Sequence, residues 1–226
     1  MIEIVGVSKI YSDTIKALDN VNLKIEKGEF VSIVGQSGAG KSTLVKLLIC
    51  EEKPTSGKIL IAGRNIVQLK LSELPYFRRK VGVVFQDFKL LPQKTVLENV
   101  AFALEVCDAL PEEIKDKVPR ILDLVGMLKC KDKYPDELSG GEKQRISIAR
   151  ALVHSPKILI ADEATGNLDP INAWEIIELL DRINRRGTIV ILATHNKAIV
   201  DRLKRRVVLI KNGTILSDKV RGGYVI

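Results

Sequence analysis

Cysteine is scarce, with three in 226 residues at Cys50, Cys107 and Cys130, and no two of them stand at CxxC spacing. That excludes a zinc knuckle and a disulfide framework, and a reducing cytosol is the simplest compartment it fits. No apolar run approaches the roughly 18 residues that a membrane span needs, so any dealings with a membrane must pass through a partner. The N-terminal MIEIVGVSKIY alternates like a strand and lacks the basic start and apolar stretch of a signal peptide. Repeats, low-complexity tracts and linkers are missing as well. Aromatics make up 4% of the chain, and no stretch laces them with basic residues as a nucleic-acid face would.

What is present is an ordinary globular composition, rich enough in Ile, Leu and Val to exclude disorder. The net charge of +8 suits an anionic ligand, an anionic membrane face or plain solubility, and names none of them alone. IEIVGV, VNLKI, FVSIVG, KILIAG and VGVVFQ read as strands, with KSTLVKLLIC as a helix among them. From Thr95 to about Arg150 the pattern turns helical, through TVLENVAFALEVC, EEIKDKVPRILDLVGML and GEKQRISIARALVH. KILIADE, NAWEIIELLDRINRRG and TIVILATH then alternate strand and helix, and Asn212-Gly213 in RVVLIKNGTILSD marks a hairpin. The class is α/β: a core with a helical subdomain inserted and a small antiparallel sheet built from the early strands.

GQSGAGKS, Gly35 to Ser42, follows a strand and opens a helix, which is the context a P-loop requires. Gly35, Gln36, Ser37, Gly38, Ala39 and Gly40 curl so that backbone N–H groups face phosphates, and the helix N-terminus adds its dipole. Lys41 reaches the β- and γ-phosphates and Ser42, followed by Thr43, offers a hydroxyl to Mg²⁺. KILIADE ends a buried strand on two carboxylates, placing Asp162 to hold Mg²⁺ and Glu163 to take a proton from the attacking water. LSGGEKQR sets Ser139, Gly140 and Gly141 before an amphipathic helix, with Glu142 three residues after the serine: a second anion-binding helix start.

Two such cradles in one chain, with LSGGE as the second, resemble the ATP-binding cassette (ABC) family, in the family's motif order and over essentially the whole chain. The resemblance implies an ABC-type nucleotide-binding domain: a P-loop core with a parallel sheet, a small antiparallel β subdomain and an inserted helical subdomain. It makes 1–226 a single ABC ATPase domain, with 1–88 and 155–226 as core plus antiparallel sheet and 89–154 as the helical subdomain. It also implies ATP and Mg²⁺ as ligands, with Tyr11 stacked on adenine, the alternative being a turn tyrosine packed on the small sheet. Gln86 matches the glutamine that senses Mg²⁺ and the water, GNLD (Gly166 to Asp169) the loop between the two sites, and His195 the histidine that contacts the γ-phosphate. His154 lies at the end of a helix, where the expectation is only a favourable charge or cap.

One copy of each motif cannot supply both halves of a site, so the resemblance implies a second copy of the chain in an ATP-dependent, head-to-tail dimer. In FQDFKLLPQ, Phe88, Leu90 and Leu91 are apolar where a loop is usually polar. Family resemblance reads them as the surface that receives a short helix of an integral membrane subunit; the competing reading is a plug that fixes the helical subdomain to the core. FQDFKLLP, TVLENVAFAL, EEKPTSG, ATGNLDP, ATHN and the terminal RGGY together resemble the branch of the family that works in bacterial cell division. There the ATPase is peripheral on the cytoplasmic face, pairs with an FtsX-like membrane protein and activates peptidoglycan hydrolases. The alternative is the ATPase of a true transporter, for lipoprotein release, macrolide export or amino-acid uptake. A soluble repair or translation ATPase would instead carry a long coiled coil, zinc-ligand cysteines or a tandem cassette, and no nucleic-acid partner is expected. Ala164 stands where the family usually has proline, Asn196 where an acid follows the histidine and Cys50 where an arginine is frequent; none of these removes a catalytic group.

Overall fold

The computed structural model describes residues 1–12 and 15–223. The first half of the chain runs β1 (Ile2–Ser12), β2 (Ile15–Ile25), β3 (Phe30–Val34), α1 (Lys41–Leu48), β4 (Ser56–Ile61), β5 (Arg64–Asn65), α2 (Leu74–Arg78) and β6 (Val81–Val84). Three helices follow: α3 (Val96–Glu105), α4 (Pro111–Leu124) and α5 (Gly140–Leu152). The last part is β7 (Ile158–Asp162), α6 (Pro170–Arg185), β8 (Ile189–Thr194), α7 (Lys197–Leu203), β9 (Arg206–Lys211) and β10 (Thr214–Lys219). Tyr224, the last residue of the RGGY string, lies outside the described residues.

Strand composition explains the two sheets. β3, β7 and β8 are continuous apolar runs buried on both faces, as parallel strands covered by helices must be. They form the centre of a six-stranded sheet in the order β10-β9-β3-β8-β7-β6, parallel except for β10. β2 instead alternates, with Leu18, Val21, Leu23 and Ile25 buried, and it lies in an antiparallel sheet of order β2-β1-β4-β5. The β9–β10 hairpin turns on Asn212 and Gly213, at φ 49° and 77°, the left-handed pair that a tight hairpin demands.

Alternation along the parallel strands divides the core in two. Val31, Ile33, Ile160 and Ile191 face α1 and the antiparallel sheet, while Leu159, Val190 and Leu192 face α3 to α6. Side chains cap the starts of α3, α5, α6 and α7. Thr95 accepts from the Glu98 N–H at 3.3 Å and Glu98 accepts from the Thr95 N–H at 2.7 Å, a capping box that starts α3. Pro119 inside α4 costs about 3 kcal/mol, offset by burying Val118 and Leu122 at about 1.5–3 kcal/mol each. No helix among the described residues is long and apolar enough to cross a membrane.

The expectation for His154 needs correcting. Helix α5 ends at Leu152 and its capping N–H belongs to Val153, so the imidazole caps nothing. Both ring nitrogens are buried without a hydrogen-bond partner, and burial, then the Lys117 charge, lowers the pKa below its ordinary value. His154 is a half-buried side chain whose ring nitrogens meet no hydrogen-bond partner among the described residues. The short helices α2 and α7 were not legible as periodic segments, because five and seven residues hold too few turns to show a period.

The segment after β6 is tied from below. Arg150 donates to the carbonyls of Phe88, at 2.9 Å, and Lys89, where both backbones sit at positive φ. Asn99, fully buried, accepts from the Leu91 N–H at 2.8 Å and donates back to the Leu91 carbonyl at 3.0 Å. Leu90 packs against the core beneath α3 to α6, while Phe88 and Leu91 stay half-buried.

Candidate active site

β3 ends at Val34 and the chain must turn sharply into α1, with the P-loop as that turn. Gly40 caps the helix at φ 110°, and a Cβ there would meet the Ala17 carbonyl oxygen at 2.5 Å, so no other residue fits. A Cβ on Gly35 would collide with the Ile210 carbonyl. The loop therefore wraps closely, held between β2 and the β9–β10 hairpin, with the Gly213 N–H bonded to the Ala39 carbonyl at 3.1 Å.

Lys41 is 6% exposed. Its Nζ donates to the carbonyls of Gly35 at 2.9 Å and Gln36 at 3.1 Å, and stands 3.6 Å from Glu163 Oε1. Glu163 follows β7 directly and turns back at φ 50°, a conformation that a glutamate rarely adopts. Its Oε1 lies 3.0 Å from His195 Nδ1, just beyond the end of β8, the strand that pairs with β7. Ser42 Oγ donates to Asp162 Oδ1 at 3.5 Å. Burial pushes the Asp162 carboxyl above the usual carboxylate range, only partly opposed by the Ser42 hydrogen bond, and the neighbouring Glu163 charge adds to the rise. The parallel register thus brings residues about 120 positions apart onto one edge of the sheet.

Lys41, Ser42, Glu163 and His195 line one cavity of about 730 Å³, together with Gln36, Ser37, Gly38, Gly40, Thr43 and Gln86, whereas Asp162 does not. Sequence reasoning missed Ala17 and Lys197 in this lining. Lys197 stands two residues past His195, which was a usable signal; Ala17 arrives only by strand pairing and offers none. A cleft of about 590 Å³ holds Ser42, Asp162, Glu163, Gln86 and Asn167. There Gln86 Nε2 donates to Asn167 Oδ1 at 3.1 Å and Asn167 Nδ2 returns to the Gln86 carbonyl at 3.2 Å.

The other expected residues lie apart. Ser139 caps α5 by accepting from the Glu142 N–H at 3.3 Å, and Glu142 accepts from the Ser139 N–H at 2.8 Å and hydroxyl at 2.7 Å. The Ser139 backbone N–H, then its hydroxyl, holds the Glu142 carboxyl below its ordinary range. A Cβ on Gly141 would lie 2.5 Å from Asn172 Oδ1, so α6 packs against this helix start. Gly140 faces Leu168, and neither glycine, nor Ser139 or Glu142, lines the P-loop cavity of its own chain. Tyr11 is on β1, 45% exposed, with the Lys9 ammonium 4.9 Å from its ring centre. Its ring is partly exposed, with that ammonium over it.

The donor set fits a nucleoside triphosphate. The glycine loop leaves backbone N–H groups clear of side chains, and Lys41 is a buried cation satisfied mainly by neutral carbonyls. Asp162 is a half-buried carboxylate with no ion pair among the described residues, and beside the Ser42 hydroxyl it suits a divalent cation. No cluster of three or more metal-binding His, Cys, Asp or Glu side chains exists among the described residues. A cation here would therefore share its coordination with phosphate and water, as Mg²⁺ does in phosphoryl-transfer sites.

Comparison with known proteins agrees with this geometry. The sequence profile of the ABC transporter family matches residues 18–166. The chain is 54% identical over 224 residues to the "Cell division ATP-binding protein FtsE" of Bacillus subtilis (strain 168), covering 99% of this chain and 98% of that protein. It is 51% identical to the protein of the same name from Streptococcus pneumoniae serotype 2 (strain D39 / NCTC 7466), over 99% and 97% of the two chains. Among solved structures, the dimeric post-hydrolysis state of the ATP-binding cassette MJ0796 bound to ADP and Pi superposes with a TM-score of 0.88 at 36% identity, over 99% of this chain and 100% of that one.

Proposed function

We propose, from the premise that this chain belongs to the ABC transporter family, that it is the ATP-hydrolysing subunit of a membrane-associated complex in cell division. The ATPase activity comes with the family. The observation that carries the site assignment is the convergence of Lys41, Glu163 and His195, with contacts of 3.6 and 3.0 Å, at the mouth of the P-loop cavity.

Glu163 accepts the proton of the attacking water, and His195 holds the carboxylate that does so. Lys41 exchanges Glu163 and the two loop carbonyls for phosphate oxygens when ATP enters. Ser42 and Asp162, with Gln86 nearby, would hold Mg²⁺, which when bound neutralises charge that develops on the phosphates. Tyr11 takes the adenine face. Ser139, Gly140, Gly141 and Glu142 serve the ATP of a second copy, since they stand outside the cavity of their own chain. Residues 89–154 act as the helical arm that carries that signature.

The membrane-facing part of the reading rests on the relatives' cell-division name and on the half-buried Phe88 and Leu91. An FtsX-like integral membrane subunit docks on these two residues from the cytoplasmic face, whereas Leu90 anchors the loop to the core. ATP-driven dimerisation then moves that subunit and switches peptidoglycan hydrolases on. A transporter reading is less supported, because both curated relatives reported above carry a cell-division name.

The test is light scattering with ATP. Glu163→Gln should retain ATP and accumulate as a dimer, and Lys41→Ala should bind no nucleotide. A Glu163→Gln protein that binds ATP yet stays monomeric at saturation would refute the composite site.

A further inference from the structure

A second large cleft lies away from the P-loop. A cavity of about 980 Å³ opens where β3 and β9 begin and α6 ends, so it lies at the opposite edge of the parallel sheet from the nucleotide. β3 has five residues, which separates the two sites by roughly 17 Å at about 3.3 Å per residue. Seven cationic side chains and three carboxylates line it, an excess of four positive charges out of the chain's +8.

Internal pairing leaves those extra cations unused. Asp181 accepts from Arg205 at 2.6 Å and from Arg185 at 2.8 Å, and Glu29 accepts from Arg206 at 2.9 Å. Glu178 is taken by the Trp174 indole N–H at 2.6 Å. Arg182, Arg202, Lys204 and Arg221 are exposed, and none of them enters an ion pair among the described residues. The Arg202 guanidinium lies flat enough over Trp174 to sit 3.7 Å from its ring centre, which holds the charge in place over an apolar wall. Leu203 and Val220 extend that wall, with the buried Phe30 and Ile177 behind it.

We infer that this cleft is a docking site for an acidic peptide segment of a partner protein, its carboxylates on Arg182, Arg202, Lys204 and Arg221 and its apolar side chains against Trp174. Three observations favour a peptide over other anions. The volume stands at the upper end of the roughly 300–1,000 Å³ range of ligand sites, far more than one phosphate fills. The apolar wall gives a phosphate nothing to contact. The concave shape lets a flat lipid surface reach only the rim. Guanidinium groups bind carboxylates in bidentate fashion, so three arginines and a lysine without an ion pair among the described residues, beside an apolar strip, match alternating acidic and aliphatic side chains. The site is independent of the nucleotide reading, since it shares no residue with the P-loop cavity.

Trp174 is the chain's sole tryptophan, so its emission reports occupancy directly. The full chain is titrated at low salt with a capped, Glu-rich peptide carrying spaced leucines. A Lys-rich peptide of the same length, inorganic phosphate and phosphatidylglycerol vesicles serve as competing probes. The expected result is a saturable change with the acidic peptide alone, weakened about tenfold by Arg182→Glu with Arg221→Glu and lost in high salt. Arg182→Ala alone should weaken it less, and ATP binding should be unchanged in all three proteins. No response to the acidic peptide, or an equal response from the double variant, overturns the site. A response to phosphate at the same concentration would assign it to a small anion, and a response to vesicles alone would assign it to the membrane; either overturns the peptide.

Discussion

Replacing Asn99 by Ala tests whether the segment that carries Gln86, Phe88 and Leu91 is held by one buried side chain. Asn99 is 0% exposed and makes four hydrogen bonds: it accepts from the Leu91 N–H at 2.8 Å and donates to the carbonyls of Leu91, Lys94 and Thr95 at 3.0, 2.8 and 3.0 Å. The Thr95 carbonyl keeps its helical partner, the Asn99 N–H at 2.8 Å, and Lys94 is near enough to water to recover one. The two bonds to Leu91 are not replaced. Each unsatisfied buried group costs about 1–3 kcal/mol, and the loss of the amide adds some cavity, so the total comes to about 3 kcal/mol. For a chain of this size each kcal/mol moves the midpoint by about 2–4 °C, giving a fall of about 6–12 °C. Urea unfolding followed by Trp174 emission measures it, with Asn99→Asp as control. Aspartate keeps the acceptor for Leu91 but turns a negative charge toward three carbonyls, so it should be no better than alanine. Trypsin should also cut faster at Lys89 and Lys94. A loss below about 1 kcal/mol with unchanged proteolysis would refute the argument that Asn99 anchors the loop.

Gly141→Ala would put a methyl 2.5 Å from Asn172 Oδ1, and Asn172 cannot retreat freely because its Nδ2 is bonded to Asp169, the cap of α6. The cost is roughly 1–3 kcal/mol, and sedimentation should show the ATP-driven dimer lost while monomer ATP binding persists. His154 supplies the pH dependence. Its pKa lies below 6.5 in the folded chain, so the stability of the neutral imidazole is present above pH 6.5 and is lost as pH falls from there through the depressed value. Thermal unfolding of His154→Leu should lack that acid-side slope. Phe88→Asp with Leu91→Asp should abolish co-purification of the membrane subunit and leave ATP affinity within about twofold; equal loss of both would return these residues to the plug reading.

The parts legible in sequence were those with a local cause. The P-loop, the helix start at Ser139, the turn at Asn212-Gly213 and the buried runs of β3, β7 and β8 each need only a few adjacent residues. Contacts made by sheet register were not legible from spacing. Glu163 meets His195 because β7 lies beside β8, and Ser42 meets Asp162 because the P-loop strand stands next to β8 in the same sheet. His154 was misread for a related reason: helix position says nothing about which neighbours close over a side chain. The cationic cleft is the extreme case, assembled from the start of β3, the end of α6, α7 and the chain beyond β10.

Four side chains that ATP would meet already hold partners in the resting chain, while the backbone N–H groups of the P-loop stay clear. Lys41 holds two carbonyls and faces Glu163, Glu163 holds His195, Gln86 is paired with Asn167, and Ser139 is closed onto Glu142. For these side chains nucleotide binding is an exchange of partners, and only the loop N–H groups gain new ones. Because neutral hydrogen bonds exchanged for one another contribute little net free energy, charge supplies much of the gain. Lys41 trades a carboxylate for a triphosphate, and the half-buried Asp162 carboxylate would obtain a cation to face. Ser139 and Glu142 gain nothing within their own chain, since they lie outside its cavity, and opening their capping box repays its cost only where a second copy presents a phosphate. On the proposed composite site, the closed capping box would hold the signature back until a second loaded copy arrives, and dimerisation would then depend on ATP.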